Sequence, residues 1–125
     1  MPWPYVLVAT DDVETAEAIR VTLTAEGYEV HTVGHGADVL ERFSQQHYDL
    51  LISSIQLPDR DGRDLYIALR ARWPFAYPRV LFLVPVNAQI PPPARGLVGP
   101  EAPILRTPLT PEALRDVARR ALGVL

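Results

Sequence analysis

Short apolar runs alternate with segments of helical periodicity along most of the chain. The five runs lie at 5–9, 28–33, 50–55, 79–84 and 102–106; residues 28–33 alternate between apolar and polar side chains, and the other four runs are mostly apolar. Between and after them, apolar residues recur every three or four positions at 13–26, 37–46, 63–73 and 111–122. That spacing is typical of helices with one buried face, and runs that are apolar almost throughout are typical of strands buried on both faces. The pattern therefore predicts five strands with helices packed on their sheet.

The segment between the fourth and fifth runs breaks this alternation. Ile90-Pro91-Pro92-Pro93 forbids a helix, because proline lacks the amide hydrogen and also restricts the residue before it. Gly96, Gly99 and Pro100 weaken what remains. We predict an extended, loop-like crossover with at most one helical turn near 94–98, so that the fourth helix is short or missing.

Five alternating strands and short connections predict an α/β fold, a single doubly wound parallel sheet. The flavodoxin-like strand order 2-1-3-4-5 is the natural choice, and its binding crevice lies at the carboxyl ends of strands one and three. Asp11 and Asp12 follow strand one, and Ser54 ends strand three. We therefore expect these three residues to meet in one crevice, within one domain that covers residues 1–125.

The composition narrows the class of protein. The chain has 125 residues, no cysteine and a net charge of -3. Without cysteine there is neither a disulfide framework nor a thiolate metal site. The basic residues are scattered, and the amino-terminal segment has no features of a signal peptide or a membrane span. We expect a cytoplasmic domain that binds neither nucleic acid nor membrane.

Four motifs occur in a fixed order along this framework. They are Asp11-Asp12, Tyr48-Asp49-Leu50, Leu57-Pro58 followed by Asp61-Gly62, and Thr107-Pro108-Leu109. In order and approximate spacing they resemble the receiver domain of two-component response regulators, over essentially the whole chain. The resemblance implies a CheY-like fold and a role in signal transduction. In that family, the acid pair and an aspartate ending strand three bind magnesium, and that aspartate accepts a phosphoryl group from a histidine kinase.

The resemblance places unsuitable residues at the positions that carry this chemistry. Ser54 falls on the phosphoacceptor, and a serine hydroxyl needs a base to become a nucleophile, whereas a carboxylate is already ionised. Val84 falls on the Thr or Ser that holds the phosphoryl oxygen, and valine donates no hydrogen bond. Thr107 falls on a charged lysine, and Ile104 falls on the aromatic switch residue. We predict a degenerate phosphorylation site, which makes the chain a pseudo-receiver and not an enzyme.

Asp11 and Asp12 remain as a residual acidic pocket. Magnesium prefers several anionic oxygen ligands, so we expect no resident metal, at most weak Mg²⁺ binding at this pair, and no cofactor. Asp12 is equally well suited to cap the helix that follows. If the two acids need a counter-charge, Arg60 and Arg106 are the candidates.

Three functional hypotheses follow. The first is a phosphorylation-independent interaction module that binds a protein partner or a second copy through the face of strand four, strand five and the last helix. Its candidate contact residues are Pro91, Pro92, Pro93, Arg106, Arg115 and Arg119. The second is an atypical phosphoacceptor that uses Asp11, Asp12, Asp59 or Asp61 with Mg²⁺. The third is a binder of a small ligand in the crevice at Asp11, Ser54 and Thr107.

Overall fold

Five short strands form one parallel sheet in the computed structural model, which describes residues 4–72, 79–85, 104–107 and 109–122. The strands are β1 (Tyr5–Ala9), β2 (Glu29–Val33), β3 (Leu50–Ser54), β4 (Arg79–Pro85) and β5 (Ile104–Thr107). Their order in the sheet is β2-β1-β3-β4-β5. The predicted flavodoxin-like order is therefore confirmed.

Helices follow the strands much as the periodicity predicts. They are α1 (Val13–Ala25), α2 (Gly36–Gln45), α3 (Gly62–Arg72) and the C-terminal helix (Pro111–Leu122). Gly27 ends α1 with a φ of 91°, a conformation that glycine adopts without strain. The Thr110 hydroxyl accepts the Ala113 amide at 3.2 Å and so caps the C-terminal helix. The predicted irregular crossover at 86–103 lies outside the described residues.

The three central strands, β1, β3 and β4, are buried on both faces, which explains why they are almost continuously apolar. One face packs on α2 and α3, with Leu7, Leu51 and Phe82 in its core. The other packs on α1 and the C-terminal helix, with Val8 and Ile52 in its core. Successive side chains of a strand point to opposite faces, so β1, β3 and β4 each supply both cores. None of the helices in the described ranges is long and apolar enough to cross a membrane.

Asp49 joins the amino ends of the two central strands. Its Oδ2 accepts the Tyr5 amide at 2.8 Å, and its own amide donates to the Tyr5 carbonyl at 2.8 Å. The neighbouring Tyr48 is buried, and its hydroxyl lies 2.7 Å from His31 Nδ1. This burial raises the pKa of Tyr48. The Tyr48-Asp49 motif is thus a packing and pairing feature at the opposite end of the sheet from the crevice.

The loop between β3 and α3 is anchored to the amino end of α2. Asp59 Oδ1 accepts the Gly36 amide at 2.8 Å, and Oδ2 accepts the Ala37 amide at 3.0 Å. His35, at the N-cap position, makes no capping hydrogen bond with its side chain. The first turn of α2 is therefore capped by a carboxylate from another loop.

Arg60 lies over the same helix end. A Cβ built on Gly36 would be 2.6 Å from Cγ and Cδ of Arg60, so the arginine stem occupies the space that any other side chain would need. Arg60 Nε is 4.0 Å from Asp59 Oδ2. The side chain named as a candidate counter-charge for Asp11 and Asp12 therefore packs against Gly36 and Asp59 instead.

Asp59→Ala should destabilise the fold by about 1 kcal/mol at pH 7, because two amides of α2 lose their acceptor. The hydrogen bond from the Gly36 amide is the largest cause that lowers the pKa of Asp59 from its usual 3.8. A carboxyl group whose pKa is lower in the folded than in the unfolded state stabilises the folded state. This stabilisation is fully present above the pKa of the unfolded state and is lost as the pH falls through the pKa of the folded state. The difference in free energy of unfolding between the wild type and Asp59→Ala should therefore be constant near neutral pH and become smaller below pH 3.8.

Urea unfolding monitored by circular dichroism at several pH values measures this difference. Asp38→Ala is the matched control, because Asp38 is the acidic residue in the first turn of α2 itself. An Asp59→Ala variant no less stable than Asp38→Ala at pH 7 would contradict the anchoring role.

Candidate functional site

A crevice of about 190 Å³ opens at the carboxyl ends of β1 and β3. It is lined by Thr10, Asp11, Asp12, Thr15, Ser54, Ile55, Gln56 and Leu83. The topology brings Asp11, Asp12 and Ser54 to this one place, as expected from the strand order.

Ser54 faces a hydroxyl group across the strand ends. Its Oγ donates to Thr10 Oγ1 at 2.8 Å, and the Asp12 amide donates to the same oxygen at 3.2 Å. Thr10 is 6% exposed, and its own amide donates to the Val33 carbonyl of β2 at 3.0 Å. Sequence reasoning missed Thr10. Strand alternation was the signal that could have found it, because Thr10 follows Val8 by two positions and shares its face.

Asp12 serves as the N-cap of α1. Its Oδ1 accepts the Glu14 amide at 3.2 Å, and its Oδ2 accepts the Thr15 hydroxyl at 2.7 Å. The Thr15 hydroxyl is the largest cause that lowers the pKa of this carboxyl group. Of the two roles considered for Asp12, the cap is the one seen in the structure. Asp11 beside it is exposed to solvent.

Ser53, the neighbour of Ser54, belongs to the core and not to the crevice. It is completely buried, and its Oγ donates to the Ser54 carbonyl oxygen at 3.0 Å. Ser53 thus makes a local hydrogen bond, which is the usual behaviour of a small polar residue at a strand end, whereas the hydrogen bond of Ser54 reaches the residue that follows β1.

β4 presents Leu83 to the crevice. Leu83 lies level with Ser54 in the parallel register, and its carbonyl accepts the Ile55 amide at 2.9 Å. Val84, the next residue, is completely buried in the core on the α2 and α3 face. Val84 therefore points away from Ser54, and its match to the Thr or Ser position of the family stays a prediction.

β5 places three of the predicted residues in register with β4. Ile104 pairs with Phe82, Arg106 pairs with Val84, and Thr107 pairs with Pro85. For Ile104 and Thr107 the structure describes the backbone only. Arg106 is exposed. Pro91, Pro92 and Pro93 lie outside the described residues.

The other two acids considered as phosphoacceptors, Asp59 and Asp61, lie outside the crevice. Asp59 caps α2, and Asp61 Oδ1 accepts the Asp64 amide at 2.8 Å in the first turn of α3. Neither lines the crevice. Within the described ranges, no group of three or more His, Cys, Asp or Glu side chains is placed to hold a metal ion. The geometry therefore does not favour the use of Asp59 or Asp61 as phosphoacceptors there.

The arginines of the C-terminal helix form ion pairs. Arg119 pairs with Glu26 at the end of α1, and Arg115 Nη2 lies 3.9 Å from Glu112 Oε1 one turn away. Arg119 thus links the helix to α1 across the same face of the sheet. Partly exposed pairs of this kind stabilise little.

Comparison with known proteins identifies the family. The response regulator receiver domain model matches residues 6–102, so the chain belongs to that family. It is 37% identical over 65 residues to the transcriptional regulatory protein KdpE of Mycobacterium tuberculosis, covering 52% of this chain and 29% of that protein. It is 35% identical over 65 residues to the cell cycle transcriptional regulator CtrA of Caulobacter vibrioides, covering 52% and 28%. These matches span less than a third of each relative.

Solved structures agree on the fold. The chemotaxis response regulator CheY4 of Vibrio cholerae matches with a TM-score of 0.82 at 23% identity, over 97% of this chain and 100% of that one. A putative response regulator from Chloroflexus aurantiacus matches with a TM-score of 0.84 at 24% identity, over 98% and 99%. The chain is therefore a receiver domain of two-component signalling with the CheY-like form of the flavodoxin fold.

Val84→Thr should lower the free energy of unfolding by roughly 1 to 3 kcal/mol, because the new hydroxyl would be buried in an apolar core. Val13→Thr is the isosteric control, since Val13 is 79% exposed. Urea unfolding of both variants measures the difference. Equal stabilities would show that residue 84 has access to a polar partner such as the crevice, against the placement described above.

Proposed function

We propose that this receiver domain works without phosphorylation, as a protein interaction module. The observation that carries the proposal is the hydrogen bond from Ser54 Oγ to Thr10 Oγ1 at 2.8 Å, at the place where the family has a phosphoacceptor carboxylate. Two neutral hydroxyl groups face each other there. A receiver domain with Ser54 and Thr10 at this place lacks the carboxylate that acts as nucleophile in the family, and with it the negative charge of that carboxylate.

The surroundings of Ser54 do not activate it. A serine attacks phosphorus only when a base takes its proton, and here the hydrogen of Ser54 is donated to another hydroxyl. The described part of the crevice contains no histidine, the Asp12 carboxylate accepts hydrogen bonds from the Glu14 amide and the Thr15 hydroxyl, and Asp11 is exposed at the rim. We infer that the domain is not an enzyme and needs no cofactor, and that Mg²⁺ binds weakly at Asp11 and Asp12.

Without a chemical switch, the output of the domain depends on its surface. β5 is the last strand in the sheet order, and in the described part of the chain it pairs with β4 alone. A strand edge of this kind is a ready template for contact with another chain. We propose that β4, β5 and the C-terminal helix, with Arg106, Arg115 and the proline segment, form the face that binds a protein partner or a second copy.

Incubation with acetyl phosphate and Mg²⁺ should leave the mass of the intact protein unchanged. The reason is that the Ser54 hydroxyl has no base beside it to take its proton, Asp12 serves as a helix cap, and Asp11 is a solvent-exposed carboxylate at the rim of the crevice. Intact-mass spectrometry at neutral pH measures this, with an active receiver domain treated in parallel to show that the phosphodonor works. A stoichiometric, acid-labile phosphoryl adduct on the wild-type protein would overturn the proposal.

Self-association through the proposed face is tested by sedimentation velocity over a concentration series. We expect Arg115→Glu to weaken any association seen, because it reverses a charge on the C-terminal helix. Arg20→Glu is the matched control, since Arg20 also pairs with a glutamate one turn away, on α1. If the dimer persists with Arg115→Glu and dissociates with Arg20→Glu, the interface includes α1 and not the proposed face. A monomer at every concentration would exclude the second copy and leave a different protein as the partner.

A further inference from the structure

We infer that the hydroxyl of Thr10 joins the carboxyl ends of the central strands to α1 without a cation. The inference rests on the proposed function, because it explains how a receiver without a phosphoacceptor keeps this edge in one arrangement. Thr10 acts here as a positioning residue.

The oxygen of Thr10 is fully used as an acceptor. A hydroxyl oxygen has two lone pairs, and Thr10 Oγ1 accepts from Ser54 Oγ at 2.8 Å and from the Asp12 amide at 3.2 Å. It cannot coordinate a metal ion without giving up one of these bonds. The arrangement therefore competes with cation binding at the strand ends.

Thr10 connects four elements of the fold. Its side chain accepts from the end of β3 and from the residue that caps α1, and its amide donates to the end of β2 at 3.0 Å. Thr10 itself directly follows β1. One residue thus fixes the relative position of three adjacent strand ends and the first helix.

The nearby carboxylates do not replace this link. Asp12 accepts from Glu14 and Thr15, so its oxygens turn toward α1. Asp11 is exposed at the rim of the crevice. A cation entering the crevice would meet the exposed Asp11 carboxylate, two hydroxyl groups and an Asp12 carboxylate that already accepts two hydrogen bonds from α1, which is a poor ligand set for Mg²⁺.

Two arrangements of the crevice would require different substitutions to create a cation site. If Asp11 and Asp12 were the carboxylates that face residue 54, then Ser54→Asp alone would complete the cluster. If Thr10 is the facing residue, then Thr10→Asp is also required. The oxygens at positions 10 and 54 are 2.8 Å apart, so carboxylates at both positions would converge on one point and attract a divalent cation.

Titration with Mg²⁺, followed by calorimetry or by amide NMR shifts, tests the inference on four proteins. These are the wild type, Thr10→Asp, Ser54→Asp and the double variant. We expect the double variant to bind at least about tenfold more tightly than Ser54→Asp, because a second anionic ligand joins the first. Equal affinities for Ser54→Asp and the double variant would overturn the inference, as would an absence of binding by a folded double variant.

Like charges at positions 10 and 54 will repel each other in the metal-free double variant. If it unfolds, recovery of the far-UV circular dichroism signal on addition of Mg²⁺, without such recovery with Na⁺ at the same ionic strength, supports the inference. Failure of the double variant to fold at any Mg²⁺ concentration would count against it.

A second readout concerns the wild-type link itself. Thr10→Val keeps the shape of the side chain and removes its oxygen, so exchange of the Asp12 amide hydrogen should rise by about three- to tenfold. Thr10→Ser keeps the oxygen and should exchange at nearly the wild-type rate. Equal exchange in the two variants would contradict the inference. None of these results depends on whether the wild type is phosphorylated, so failure here is distinguishable from failure of the proposed function.

Discussion

The pairing of β1 with β3 is the contact on which the rest of this structure depends. In their parallel register Leu7 lies opposite Leu51, and Ala9 lies opposite Ser53. Because side chains alternate, this register sends apolar residues into both cores and brings Thr10 and Ser54 to the same side at the carboxyl edge. A slip by one residue would exchange the two faces and bury Ser54 in the core. The crevice is thus fixed by the same packing that stabilises the sheet.

Local signals in the sequence predicted most of the fold. Apolar runs and helical periodicity located the strands and helices, and Gly27, Thr110 and Pro111 marked helix ends through their own backbone chemistry. The cap of α2 could not be predicted in this way. Asp59 is 23 residues from Gly36, and nothing in the helix sequence indicates that a distant loop supplies the carboxylate. For the same reason the contact between Arg60 and Gly36 was not expected.

The location of the crevice could be predicted from the sequence, but most of the side-chain contacts inside it could not. Topology alone brought Asp11, Asp12 and Ser54 to one crevice, because parallel strands end at the same edge. Successive side chains of a strand point to opposite faces, so an error of one residue in the register changes which side chains face one another. Motif matching singled out Val84 on β4, and it gave no indication that Leu83 is the β4 residue that lies level with Ser54 and lines the crevice. Thr10 was overlooked because it stands beside an acid pair that matches the family motif better.

Several motif residues that identify the family also hold this fold together without any phosphate. Asp49 pairs the starts of β1 and β3, Leu57 is buried, and Asp61 caps α3. Each of these contacts stabilises the folded chain, whatever occupies position 54. The residues of the receiver signature and the residues of phosphotransfer are therefore subject to different physical requirements, so a match to the signature does not by itself establish phosphotransfer. Family membership follows from the first set, and phosphotransfer requires the second.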